Sequence, residues 1–141
     1  MRITGICAGA AAGLLLAACA TEPNDALQGP YVLVSVNGAL VPIVADSSGG
    51  TTQWLVSKTL LFDGRGRVTQ VLSWRRDSVT TGETQVTSSE FQYQVRGDSV
   101  VIGSLAICPP NSNCLANVPG LISAGRLTLD PDGRREVYHS P

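Results

Sequence analysis

In Phe91-Gln92-Tyr93-Gln94-Val95-Arg96 the apolar side chains take every second position and the polar ones fill the gaps. A period of two puts the two sets on opposite faces of a β-strand. The same reading yields strands at residues 31–36, 53–62, 67–79, 84–96, 99–107, 125–130 and 134–139. Residues 39–44 form a weaker return piece, because Pro42 confines it to an edge or a bulge. Between these runs lie turn signals: Asn37-Gly38, Asp63-Gly64-Arg65-Gly66, Thr81-Gly82, Gly97-Asp98 and Asp130-Pro131-Asp132-Gly133. Residues 46–50, Asp-Ser-Ser-Gly-Gly, read as a loop. About eight strands joined this tightly imply antiparallel neighbours in an up-and-down meander. Such a meander folds into a sandwich or closes into a barrel, and closure removes the exposed edges.

Composition supports an all-β body. From Gln28 to Pro141 there are 15 Val, 4 Ile and 9 Thr against 5 Ala, 3 Glu and 1 Lys. Branching at Cβ suits a pleated surface, and the scarce residues are the good helix formers. The hairpin around Thr81-Gly82 stands out. Thirteen extended residues span more than about 40 Å, longer than a small barrel needs. Its middle, Asp77 to Ser89, is mostly polar, so it projects as a ribbon or frays into a loop.

The front of the chain differs in kind. Arg2 is followed by an uncharged run from Ile3 to Thr21, rich in Ala and Gly. It suits a cleaved signal better than a spanning helix, the rival being an uncleaved anchor. Leu16-Ala17-Ala18-Cys19 resembles the lipobox of bacterial lipoproteins. The resemblance implies cleavage before Cys19, a diacylglyceryl group on its thiol and an acylated new amino terminus. Ala20 after that cysteine resembles an outer-membrane address, with the domain facing the periplasm. Several acyl chains hold a protein at a bilayer where one holds only marginally. The expected organisation is a signal peptide at 1–18, a lipidated flexible tether at 19–28 and one domain at 29–141. The tether reaches roughly 15–20 Å from the membrane.

Beyond residue 18 there are 9 basic and 11 acidic side chains, a net charge of −2. No basic stripe points to nucleic acid. Cys108 and Cys114 are an even pair around Pro109-Pro110-Asn111-Ser112-Asn113, and in an oxidising compartment they read as a disulfide worth about 2 kcal/mol. The rival is a metal site, which needs three or four ligands; only His139 adds to the pair.

Gly29-Pro30-Tyr31 opens the first strand where lipocalins carry G-x-W, and an up-and-down meander with Asp-Gly turns follows. Residues 29–139 therefore resemble a lipocalin-like, calycin-type barrel, with Tyr31 in place of a Trp that packs and does not catalyse. The META domain of small lipoproteins ranks second, because its Gly-Cys-Asn segment is absent after Asp63-Gly64. The lipocalin resemblance implies a non-covalent binder of a small apolar or amphipathic molecule. Trp54, Trp74 and Tyr93 are the candidates to line a cavity. The alternative is a filled barrel serving as a structural or protein-interaction module of the envelope.

No enzyme constellation is found. His139 lacks a neighbouring nucleophile and an orienting group, and no G-x-S-x-G elbow occurs. A calcium loop starting at Asp130 fails, since its twelfth position is Pro141. Arg96-Gly97-Asp98 reads as a turn, not an adhesion motif. No cofactor is expected.

Overall fold

The computed structural model describes residues 27–78, 82–104 and 117–141. Cys19, Cys108 and Cys114 lie outside the described residues, as do residues 1–26, which include the segment read as a signal and most of the expected tether. Among the described residues ten strands follow in order: β1 (Gln28–Val36), β2 (Ala39–Leu40), β3 (Ile43–Ser48), β4 (Thr51–Asp63), β5 (Arg67–Asp77), β6 (Gly82–Arg96), β7 (Ser99–Ser104), β8 (Val118–Ser123), β9 (Arg126–Leu129) and β10 (Glu136–His139).

Eight of them close a ring. Hydrogen bonding runs from β1 to β4 through β10 and back to β1, and every pair is antiparallel. The chain is thus an all-β, up-and-down barrel, consistent with a small lipocalin-like one. Strands β2 and β3 sit outside the ring, on β1 and β4 respectively.

The number eight agrees with the sequence reading, but one member differs. Residues 39–44 do not join the ring. A cis Val41–Pro42 bond separates β2 from β3, and β3 runs on through residues read as loop to turn at Gly49-Gly50. The missing ring strand is β8, Val-Pro-Gly-Leu-Ile-Ser. Its Pro119 and Gly120 disguise it as loop. Gly120 is there because of packing: an added Cβ would stand 2.4 Å from Leu129 Cδ2 and 2.7 Å from the Thr128 carbonyl oxygen.

Other turns follow the sequence reading. Asn37 and Gly38 both take positive φ, 50° and 84°, as a two-residue hairpin turn of the primed kind requires. The Asp63 carboxylate accepts the backbone N–H groups of Arg65 (2.7 Å) and Arg67 (2.9 Å). Those two bonds hold its carboxyl below the usual value of 3.8.

Two bulges set which side chains face inward. Pairing of β1 with β10 shifts between Leu33 and Ser35, and pairing of β4 with β5 shifts between Leu55 and Ser57. A bulge reverses the alternation beyond it. Tyr31 and Leu33 face inward, then Val36; Phe62, Leu60 and Lys58 face inward, then Leu55.

The barrel is filled at one end. There β1 begins and the β4–β5, β6–β7 and β8–β9 turns gather. Leu27 is fully buried beneath them, and its carbonyl accepts the Tyr93 hydroxyl at 3.1 Å. The Phe62 ring meets Tyr31 and Tyr93 edge to face, with centroids 5.5 and 4.9 Å away. Burial raises the ionisation range of both tyrosines. The β6 N–H of Tyr93 also donates to the Gly66 carbonyl at 2.8 Å, tying that turn to the wall.

Candidate functional site: the barrel mouth

At the opposite end the inward side chains change character. Strand β4 brings Lys58, β5 brings Gln70, Leu72 and Trp74, and β10 brings Glu136 and Tyr138. Lys58 Nζ donates to Glu136 Oε2 at 2.8 Å, and the Tyr138 hydroxyl donates to the same oxygen at 2.5 Å. Lys58 Nζ lies 5.9 Å from the centre of the Tyr138 ring. The Glu136 side chain is 3% exposed and that of Lys58 is 13% exposed, so the lysine is the more accessible of the two. Burial first, then the adjacent carboxylate, pushes the Tyr138 phenol far above its usual range. It therefore stays a donor.

Two hollows flank this ion pair, and both are lined by Lys58, Arg134 and Glu136. The first, about 180 Å³, has Leu60, Phe91, Ile102, Val118 and Leu129 among its walls, with Asp132 at its edge. The second, about 160 Å³, is bounded by Val36, Ile43, Leu55, Leu72 and Trp74. Arg134 is exposed just after the β9–β10 turn and makes no ion pair among the described residues. The turn itself is a single 3-10 turn, Pro131–Gly133.

The three aromatic candidates go to three different places. Trp74 lines the second hollow. Tyr93 belongs to the packed closed end. Trp54 lines neither hollow; it faces outward opposite Val44 and Arg75, with the Arg75 guanidinium 5.5 Å from its ring centre. Its Nε1 is buried without a hydrogen-bond partner. Of the three, Trp74 alone lines either hollow at the mouth. For Trp54 the cause is the β4 bulge, since unbroken alternation from Phe62 would have turned Trp54 inward. Arg75 also pairs with Asp77 at 3.1 Å on the outer face. His139 is exposed at the end of β10.

Sequence reasoning passed over Lys58, Glu136 and Arg134. The available signal was the chain's sole lysine placed at an inward-alternating position, between Val56 and Leu60.

The polar ribbon is regular. Residues Arg67–Asp77 of β5 pair one for one with Gln92–Gly82 of β6. Residues 82–90 are exposed, and β7 meets β6 only from Phe91 onward.

Comparison with family models, with curated proteins and with solved structures finds no match.

Proposed function

We propose that this barrel is a non-enzymatic binder that holds a small amphipathic molecule in its mouth, tethered to the bacterial cell envelope through acylated Cys19. The observation that carries the reading is the pair of hollows, one mainly apolar and one of mixed lining, that meet at the partly buried Lys58–Glu136 pair. A cavity of about 150 Å³ lined by apolar side chains is large enough to take benzene. Each hollow is of that size and below the roughly 300 Å³ at which sites for drug-sized ligands begin. The ligand is accordingly small. Binding is burial of its apolar part with its polar part at Lys58 or Arg134, and no bond is made or broken. The outer-membrane, periplasm-facing address and the Cys108–Cys114 disulfide belong to the same proposal, on the sequence reading above.

The test uses the full-length Cys19→Ala chain and a polarity-sensitive fluorescent probe. Saturable binding is expected, weakened by Trp74→Ala. A probe that never saturates, or one indifferent to Trp74, removes the carrier reading.

One observation favours a second reading, an interaction module that contacts an envelope protein. The β5–β6 ribbon is paired as far as Asp77 and Gly82 while residues 82–90 expose their side chains. Crosslinking in intact cells should then recover one partner that is lost when the ribbon is shortened; recovery unchanged by shortening removes this reading.

A further inference from the structure

We propose that the mouth selects a small monoanion, its single negative headgroup held between Lys58 and Arg134 and its apolar body set against Leu55, Leu72 and Trp74. The inference rests on the carrier reading and names the ligand's charge and size.

Charge in the Trp74 hollow is the first ground. Its ionisable side chains are Lys58, Arg134 and Glu136, two cations to one carboxylate. Asp132 reaches the other hollow and not this one. Lys58 is paired with Glu136, so the cation left without a counterion in this hollow is Arg134, exposed and open to an anion from solvent, whose attraction water reduces but does not cancel.

Hydrogen-bond capacity points the same way. An ammonium group has three donors and a guanidinium five. Lys58 gives one to Glu136 Oε2, an oxygen already shared with the Tyr138 hydroxyl. The site is rich in donors and short of acceptors. A carboxylate supplies acceptors only, a hydroxyl supplies a weaker one, and an ammonium adds donors and charge of the wrong sign.

Size sets the remainder. A hollow of about 160 Å³ takes a body of roughly six carbons, by comparison with benzene in a cavity of similar volume. Six-carbon chains with different heads therefore isolate the headgroup.

Hexanoate, hexanol and hexylammonium are titrated into the full-length Cys19→Ala chain, and the NMR shift of the Trp74 indole N–H, assigned through Trp74→Phe, reports binding. Hexanoate is expected to bind about tenfold more tightly than hexanol, with hexylammonium weakest. Arg134→Gln, a change at an exposed residue, should draw the hexanoate affinity toward that of hexanol. Saturable shifts with equal affinity for hexanoate and hexanol overturn this inference while the carrier reading stands, and so does a hexanoate preference that survives Arg134→Gln. If none of the three moves the indole signal, this inference and the carrier reading fall together.

Discussion

At the closed end Leu27, Tyr31, Phe62 and Tyr93 fill the space between the walls with rings and methyl groups. At the mouth the same sheet presents Lys58, Gln70 and Glu136 to two hollows. Both ends are made of inward-facing positions on shared strands: Phe62 and Lys58 stand four residues apart on β4. The fold does not demand charge at either end. Taking an ion pair out of water costs several kcal/mol per ion before any return, whereas aromatic burial is favourable throughout. The closed end is what a small barrel does to remain folded. The mouth departs from that economy, and such departures concentrate at binding sites.

The largest effect expected follows from truncating the closed end. Phe62→Ala removes the ring that both Tyr31 and Tyr93 touch, leaving a cavity the turns cannot collapse. Stability should fall by about 3–5 kcal/mol, measured by urea unfolding. A loss under 1 kcal/mol would mean that the closed end is not the anchor of the barrel, and the contrast with the mouth would dissolve.

Next comes the ion pair. Glu136→Leu alone should cost about 3 kcal/mol, because it leaves the Lys58 ammonium and the Tyr138 hydroxyl without their acceptor. Replacing all three together, Lys58→Met with Glu136→Leu and Tyr138→Phe, should restore stability to within about 1 kcal/mol of the wild type or exceed it. The triple variant should also weaken the preference for hexanoate over hexanol without abolishing it, because Arg134 remains to hold the headgroup. A triple variant as unstable as Glu136→Leu would show that the network serves the fold, placing both ends in one class.

The same contrast explains how far the sequence could be read. Alternation in β6 and the Asp-Gly and Asn-Gly turns were legible because period two and positive φ are local properties. Strand β8 was not, because the need for Gly120 comes from Leu129 and Thr128 on the neighbouring strand, a contact that appears only after the sheet assembles. Trp54 misled for a related reason: a single bulge, set by β4–β5 register, reverses the faces of everything beyond it. At the mouth, Lys58 and Glu136 are 78 residues apart, on strands separated by β1, and nothing local couples them. Aromatic residues drew attention by size, yet the charged pair defines the cavity.

The smallest effect tests whether local turn chemistry at the closed end is as dispensable as its exposure suggests. Asp63 lies at the end of β4, and its carboxylate accepts from the N–H groups of Arg65 and Arg67. Its ionisation is lowered in the folded chain, chiefly by those two bonds, with the nearby arginine charges adding to them. A lowered folded value means that the unfolded chain binds a proton more readily as the pH drops. The stabilisation is therefore complete above the unfolded value of 3.8 and is lost as the pH falls through the lower folded value. Asp63→Ala should depress the melting temperature slightly at pH 7, and the gap from the wild type should narrow as the pH is taken below 3.8. A gap that stays constant down to pH 2 would assign the difference to the backbone of the turn instead of to the carboxylate. A gap as large as that of Phe62→Ala would mean that the turn, and not the aromatic packing, secures this end.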